Sequence, residues 1–359
     1  MNRLCQSSYG NLEAVINITG YNGESQRKLV HFYRDSTTGQ WSACDVVSHN
    51  PTTGGSMIQS VSKHHPDQVH GDFEVIVLEE DGALNHYTRD NTIPVDNGVY
   101  AWRLSATVNT PKVSKDRVVD IIPKLAIDAA PIIQSQISEC ANADGTTLET
   151  AVRDKSGRIV HYRCPQYGPC DNSAGVNPQW RQRDTISGYA TGPACLYQTS
   201  PDILMALIPT RGGISQYRFE AGTKWISTGM VTGNSGPSCV CSEMVDGSTT
   251  FYALVRGGSK VHEFKYRGAW KICESSLPYA LSEIRHTPHH RVFATNPISV
   301  LSQAINALGR SQTTEAIAFH AAGAGWEDTW MILHWSFIAG AGDWVVSEVV
   351  LPRVTGMPL

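Results

Sequence analysis

Five histidines recur at matching places along the chain, and their imidazole rings are the first groups that could do chemistry. Each comes one or two residues after an aliphatic side chain and one or two before an aromatic one. The set comprises His31, His86, His161, His262 and His334. Neutral imidazole is a common metal ligand. However, one histidine per repeat predicts equivalent positions far apart, and the chain has no C-x-x-C or H-E-x-x-H pattern. We therefore expect scaffold histidines that bond a neighbouring strand, with no metal and no cofactor.

The most basic run of the chain is Arg285-His286-Thr287-Pro288-His289-His290-Arg291. A guanidinium or an imidazolium can bind an anion or stabilise negative charge that builds on a carbonyl oxygen. Arg285 and His289 are therefore candidate catalytic donors, and a solvated loop without a function is the alternative. A second cluster, His64-His65 with His70, supplies His65 as a candidate substrate contact.

Two tryptophans, Trp326 and Trp330, lie outside the repeating pattern in a Gly/Ala-rich loop. Aromatic side chains exposed on a loop often form the wall of a ligand site. We predict that both contact a substrate. A lid that packs on its own part of the fold is the alternative.

A polar pair opens most repeats, and one position of this pair forms a column of six residues. The column comprises Gln6, Gln59, Gln134, Tyr197, Cys241 and Leu301. A mixed column predicts a channel mouth that is polar on one side and apolar on the other. Gln59 and Gln134 are therefore predicted to bind substrate, and Tyr197 is predicted to act as a catalytic hydrogen-bond donor.

The repeated histidines and the glutamine column belong to six sequence repeats. Each repeat predicts four short strands and carries a tryptophan at the start of the fourth. We expect this tryptophan to form blade core. Turns such as Arg211-Gly212-Gly213 separate the strands, because glycine supplies the positive φ of a tight hairpin. A single four-stranded sheet cannot bury both of its faces, whereas blades stacked round an axis do so. We predict an all-β, six-bladed β-propeller with four antiparallel strands per blade. Packing of blade six on blade one would close the ring, without a swapped strand.

The prediction is one domain over residues 1–359. Its blades lie near 1–50, 55–110, 131–188, 193–232, 237–278 and 297–352, with inserted loops at 107–130 and 277–297. The formal net charge of -4 argues against a nucleic-acid partner, since a phosphate-binding surface needs a basic excess. The sequence contains no run of apolar residues long enough to span a membrane, so we expect no membrane partner either.

Cysteine is frequent, with 9 in the chain, and this favours an oxidising compartment. Cys164 and Cys170 bracket a short Pro/Gly loop and are candidates for a local disulfide; reduced core thiols are the alternative. The sequon Asn17-Ile18-Thr19 fits a secretory route. The first residues lack the features of a signal peptide, so we expect a secreted or secretory-pathway protein whose leader precedes Met1.

The module Gln-Ser, then Leu-Glu-x-x-Val, then Leu-Val-His-Phe/Tyr-x-Arg-Asp, then Trp resembles the repeat of the bacterial fucose-binding propeller lectins and their fungal relatives. The resemblance covers nearly the whole chain and is clearest in the first three repeats. Those lectins place near-identical sugar sites between successive blades, so the resemblance implies glycan binding. Inserts and substituted columns in this sequence favour one specialised pocket over several equal ones.

By architecture the chain is also similar to the fungal hetero-Diels–Alderases of tropolone sesquiterpenoid biosynthesis. That resemblance implies a cofactor-independent pericyclase, in which an apolar pocket holds a tropolone quinone methide beside a sesquiterpene alkene. Donors would polarise the carbonyl, and exclusion of water would protect the intermediate. The predicted function is such an enzyme, with an apolar small molecule bound in one pocket at the propeller mouth. The alternative is a fucose-type lectin without catalytic activity, followed by a scaffold or interaction propeller.

Overall fold

The computed structural model of the chain describes most of its strands and part of its connections. The described residues are 4–19, 26–52, 55–61, 69–95, 99–108, 130–136, 146–165, 180–234, 238–245, 248–257, 260–266, 268–277, 293–302, 314–321, 329–338 and 343–355. Their regular structure is β-strand throughout, as the sequence predicts.

Six groups of four consecutive strands make up the fold, and we call each group a blade. Blades one to three contain β1 Leu4–Gln6, β2 Leu12–Thr19, β3 Arg27–Arg34, β4 Trp41–Ser48, β5 Ser56–Gln59, β6 Phe73–Leu78, β7 Leu84–Val95, β8 Val99–Thr107, β9 Ile132–Ser135, β10 Thr147–Arg153, β11 Ile159–Pro165 and β12 Arg181–Ser187. Blades four to six contain β13 Cys195–Ser200, β14 Ile203–Thr210, β15 Gly213–Glu220, β16 Ile226–Thr232, β17 Ser238–Val245, β18 Ser248–Gly257, β19 Lys260–Tyr266, β20 Trp270–Leu277, β21 Phe293–Ser302, β22 Thr314–Ala321, β23 Thr329–Ile338 and β24 Asp343–Thr355.

Every blade is an antiparallel sheet in which strands that follow each other in sequence are hydrogen-bonded neighbours. Blades two to five are separate four-stranded sheets. Blades one and six are joined into one sheet, because Thr19 of β2 pairs with Thr355 of β24. The predicted six-bladed β-propeller is therefore confirmed, and the seam between its first and last blades carries a backbone pairing in addition to packing.

The apolar core lies between neighbouring blades rather than within one of them. One cluster joins Met57 and Phe73 of blade two to Val15 and Leu29 of blade one. Equivalent clusters lie between blades two and three, three and four, and four and five. Each strand face of a blade is therefore covered by the next blade, which is why the second strands are buried along most of their length. The described part of the chain contains no helix with the length and hydropathy needed to cross a membrane.

A β-bulge recurs at the same place in the fourth strand of most blades. In blade one, His31 pairs with Asp45 while Phe32 pairs with Ala43, so that Cys44 is the extra residue. The same register shift occurs in blades two, three, four and six. The unpaired extra residues of their fourth strands are Ser105, Arg183, Thr228 and Ser347. A bulge bends its strand and re-aims one side chain. Each of these blades therefore has one fourth-strand residue beside the position of the repeated histidine.

The turn between β14 and β15 allows a matched test of the hairpin geometry. Gly213 has φ 131, and a Cβ there would overlap the carbonyl oxygen of Thr232, whereas a Cβ on Gly212 meets nothing. Gly213→Ala should lower the free energy of unfolding by about 2 kcal/mol or more, through backbone strain and overpacking. Gly212→Ala should leave it within about 0.5 kcal/mol of the wild type. Urea unfolding of both variants checks this, and equal midpoints would contradict the described register.

Candidate functional site

The repeated histidines of the first three blades are each hydrogen-bonded to a glutamate on the neighbouring strand. Nε2 of the histidine on the third strand lies 2.9, 2.8 and 2.6 Å from a carboxylate oxygen on the second strand, in the pairs His31–Glu13, His86–Glu74 and His161–Glu149. All six side chains are buried. The scaffold role predicted for these three histidines is confirmed.

The tryptophan of the following blade packs edge-on against each of these histidines. Ring centroids are 5.6, 5.6 and 5.5 Å apart for His31–Trp102, His86–Trp180 and His161–Trp225, with near-perpendicular planes. We call the three sets Glu13–His31–Trp102, Glu74–His86–Trp180 and Glu149–His161–Trp225 the joints. The sequence predicts these tryptophans as blade core, but they lie between blades, because each covers a polar pair of the preceding blade.

The third joint shows how its protons are arranged. Trp225 Nε1 donates a hydrogen bond to His161 Nδ1 at 3.3 Å, so the imidazole proton lies on Nε2 and is donated to Glu149. Arg163, itself buried, donates from Nε to the other oxygen of Glu149 at 2.7 Å. Burial alone would raise the pKa of Glu149, but the hydrogen bond from His161 and the charge of Arg163 hold it below its ordinary value. The carboxylate is therefore ionised inside the protein.

The fourth blade makes its contact with blade five from different residues. Gln216 occupies the register position of the histidine, and Met205 that of the glutamate. The Tyr197 hydroxyl accepts a hydrogen bond from Gln216 Nε2 at 2.8 Å, and its ring lies 6.4 Å from that of Trp270 in an edge-on contact. Burial raises the pKa of Tyr197. This position argues against the catalytic donor role predicted for Tyr197, because the phenol is enclosed in a blade interface.

The glutamine column links blades one to four through three hydrogen bonds. Gln59 Oε1 accepts from the backbone N–H of Ser8 at 2.6 Å, Gln134 Oε1 from Val61 at 3.1 Å, and Gln198 Oε1 from Gln136 at 3.2 Å. In each case the partner lies in the preceding blade, two residues after that blade's own column position. Gln59 and Gln134, which are predicted to contact substrate, therefore already use their side-chain oxygen atoms to accept backbone hydrogen bonds.

Tyr197 does not belong to this column, and its assignment there is wrong. Gln198 pairs with Leu204 as Gln6 pairs with Leu12 and Gln134 with Leu148, whereas Tyr197 pairs with Met205. The signal that could have found this is the residue that follows, because Gln-Ser in the first three blades becomes Gln198-Thr199 in the fourth. Four described blades thus keep glutamine.

Of the remaining predicted site residues, Trp330 alone lies among the described residues. Trp330 is placed in β23, where its backbone pairs with Ala321 and Val354, so its assignment to a loop is wrong. The other four predicted site residues lie outside the described residues: Trp326, Arg285, His289 and His65. Within the described part of the chain, no group of three or more His, Cys, Asp or Glu side chains could hold a metal ion.

Five of the cysteines are thiols in the described part of the chain. They are Cys5, Cys44, Cys164, Cys195 and Cys273. The thiol of Cys164 supports the alternative of reduced core thiols, and Cys170, its candidate disulfide partner, lies outside the described residues. Cys164 is buried in the apolar cluster between blades two and three, and burial raises its pKa.

A small polar cavity of about 150 Å³ lies on blade three, on the side that packs against blade two. Its lining consists of Val152, Asp154, Arg158, Val160, Tyr162, Gln182 and Thr185. Arg158 donates from Nε and Nη2 to Asp154 Oδ2 at 2.9 and 2.8 Å. Burial would raise the pKa of Asp154, but hydrogen bonds from Ser156 and Arg158 lower it. The cavity thus presents an ionised carboxylate, a guanidinium and an amide beside the aromatic ring of Tyr162.

The ionised glutamate of the third joint can be tested by removing its charge. Glu149→Gln leaves the buried Arg163 without its partner, and this should cost about 3–5 kcal/mol of unfolding free energy. The matched control is Glu220→Gln, which breaks an exposed pair with Arg218 and should cost at most about 1 kcal/mol. Chemical denaturation at pH 7 measures both.

The same pair of proteins tests the pKa of Glu149. A lowered pKa contributes stability above the ordinary carboxyl value of about 4.3 and loses it as the pH falls through the folded value. The gap between wild type and Glu149→Gln should therefore shrink below about pH 4 and stay constant between pH 6 and 8. A gap that is unchanged at acid pH would show that folding does not shift the pKa of Glu149, and a gap that widens would show that Glu149 is protonated in the folded protein.

Comparison with known proteins agrees with the architecture. No protein-family model matches the chain, and no curated protein matches it in sequence. Among solved structures, the fucose-recognising lectin of Aleuria aurantia is a six-bladed β-propeller that superposes with a TM-score of 0.61 at 13% identity, over 100% of both chains. The AofleA protein of Arthrobotrys oligospora gives 0.55 at 10% identity, over 100% of this chain and 91% of its own. An α-L-arabinofuranosidase of Fusarium graminearum gives 0.51 at 11% identity, over 88% and 86%. The chain therefore has the six-bladed β-propeller fold of the fungal fucose-binding lectins.

Proposed function

We propose that this chain is a carbohydrate-binding β-propeller that takes a sugar in the cavity on blade three. The observation that carries the proposal is the lining of that cavity, in which Asp154, Arg158 and Gln182 surround an apolar wall with Tyr162. A sugar ring presents hydroxyl groups at its edge and C–H groups on its faces. Charged and amide side chains satisfy the hydroxyls, and an aromatic ring covers the C–H groups. The likeness in fold to fucose-binding lectins supports the same class of ligand.

The size of the cavity favours a sugar over an apolar substrate. Pockets that enclose drug-sized ligands measure about 300–1,000 Å³ and are mostly apolar, whereas this one is about 150 Å³ and polar. A tropolone quinone methide with a sesquiterpene alkene would need more room and fewer charges. The pericyclase hypothesis rests on Arg285, His289 and Trp326, which lie outside the described residues, so the carbohydrate hypothesis has the stronger support.

Binding rather than hydrolysis fits the lining. Glycoside hydrolysis generally uses two carboxyl groups on opposite sides of the scissile bond, about 5–9.5 Å apart. Asp154 is the single carboxylate among the lining residues, and Arg158 occupies one of its oxygen atoms. The arabinofuranosidase that shares the fold therefore gives no argument for glycosidase activity in this cavity.

The cavity chemistry is not repeated in the neighbouring blades. In blade two the corresponding turn residue is Glu79, and Ala83 stands at the position of Arg158, so the guanidinium of the cavity is missing there. In blade four the turn is reduced to Arg211-Gly212. We therefore propose one strong sugar site on blade three, rather than equal sites on blades two, three and four.

A glycan array followed by titration calorimetry tests this proposal. The protein should bind fucose-type or related monosaccharides with about one site on the described blades. Arg158→Ala should weaken binding about tenfold or more and Gln182→Ala about fivefold, since a hydrogen bond to a charged group contributes about 1.5–3 kcal/mol and a neutral one about 1. Arg218→Ala is the matched control, because it removes an exposed arginine that also pairs with an acid but is not part of the lining of this cavity.

Two results would contradict the proposal. One is an array without any carbohydrate signal while the protein is folded. The other is full affinity in the double variant Arg158→Ala/Gln182→Ala, which would place the sugar elsewhere. Cycloaddition of a quinone methide accelerated by the protein, without sugar binding, would support the pericyclase instead.

A further inference from the structure

The joint between blades one and two contains a thiol that the other described joints lack. Cys44 is the bulge residue of β4 and therefore lies beside His31. In blades two and four the same bulge position carries Ser105 and Thr228, whose hydroxyls donate to Thr88 and to Gln216 within their own blades. The bulge thus aims one side chain at the joint, and in blade one that side chain is nucleophilic.

Three charged or titratable groups lie near the sulfur, one each on β7, β3 and β2. Arg89 of β7 donates from Nη1 to Cys44 Sγ at 3.4 Å, and the same nitrogen lies 3.0 Å from His31 Nδ1. His31 of β3 lies beside Cys44 and is hydrogen-bonded through Nε2 to Glu13 of β2. The order is carboxylate, imidazole, thiol, with a guanidinium beside the sulfur. This is the arrangement by which an adjacent base and a cation activate a cysteine.

We propose that Cys44 is a nucleophilic modification site that reacts with small-molecule disulfides by thiol–disulfide exchange. The sulfur of Cys44 attacks one sulfur of the disulfide, a new S–S bond forms at Cys44, and the original S–S bond breaks. The leaving group departs as a thiolate and takes up one proton, so that the proton lost from Cys44 ends on the released thiol. Glu13 orients His31, and Arg89 stabilises the negative charge on the sulfur before attack.

The surroundings of the cysteines separate Cys44 from two others that the structure describes. Burial would raise the pKa of Cys44, but the hydrogen bond to His31 and the charges of His31 and Arg89 lower it below its ordinary value. Burial raises the pKa of Cys5 and of Cys164. Cys44 is also partly exposed, whereas Cys164 is buried.

The test uses 4,4′-dithiodipyridine, whose released thione is followed by absorbance, and glutathione disulfide as a second reagent. Peptide mass spectrometry after brief treatment should find the first modification at Cys44. The rate should follow a titration whose midpoint lies below the ordinary thiol value of about 8.5. Cys44→Ser, which copies the residue of blade two, should abolish the fast phase. Cys273→Ser, which removes a half-buried thiol from blade five, should retain it.

The variant His31→Gln tests whether Cys44 is an activated nucleophile or merely an accessible thiol. Glutamine is chosen because blade four already carries it at this register position. The variant should raise the midpoint and slow the reaction at pH 7 by about tenfold for each unit of pKa, with Cys44 still the site. A fast phase at another cysteine, an ordinary or higher midpoint, or an unchanged midpoint in His31→Gln would overturn the proposal. If circular dichroism shows that His31→Gln does not fold, the site and the midpoint in the wild-type protein decide on their own.

Discussion

Burial of a glutamate carboxyl group inside a β-sheet propeller is the constraint on which the first three blades depend. A carboxylate without partners would be costly in that environment, and each described joint answers this with an imidazole on the next strand and an indole from the next blade. The hydrogen bond crosses strands within a blade, whereas the ring contact crosses between blades. Each set of three residues therefore connects the strand pairing within one blade to the packing of that blade on the next. In the third joint, loss of the histidine alone would leave Glu149 charged and buried with one hydrogen-bond donor fewer.

Blade four shows that the constraint is on the contact and not on the residue types. When the glutamate becomes Met205, the need for an imidazole disappears, and Gln216 with Tyr197 forms a neutral version of the same interface. The edge-on ring contact to the following tryptophan is kept. Replacing a charged pair by a neutral one of similar shape is generally tolerated, whereas removal of one partner is not. The sequence repeat can therefore become less regular along the chain while the contacts between blades are kept.

The architecture followed from the sequence because the repeating residues are the ones that the ring needs. Strand number, blade number and the scaffold role of His31, His86 and His161 could all be predicted from periodicity. The site could not, because the deciding features depend on register. Tyr197 and Gln198 are adjacent in sequence, and only strand pairing shows which of them continues the glutamine column. Arg158 and Gln182 carry no motif and meet only when the strands of blade three are paired. Trp330 looked like a loop residue because the glycines and alanines before it hid the start of β23.

The recurring bulge in the fourth strand has a consequence for how such a protein can change over time. The extra residue pairs with nothing on the neighbouring strand, so its replacement leaves the backbone ladder intact. In blades one, two and four its side chain makes a hydrogen bond close to the histidine position. These blades therefore offer three separate places where a thiol or a hydroxyl can be exchanged while the backbone pairing is kept. A propeller of this kind can vary its chemistry blade by blade while selection on the ring itself continues to act on other residues.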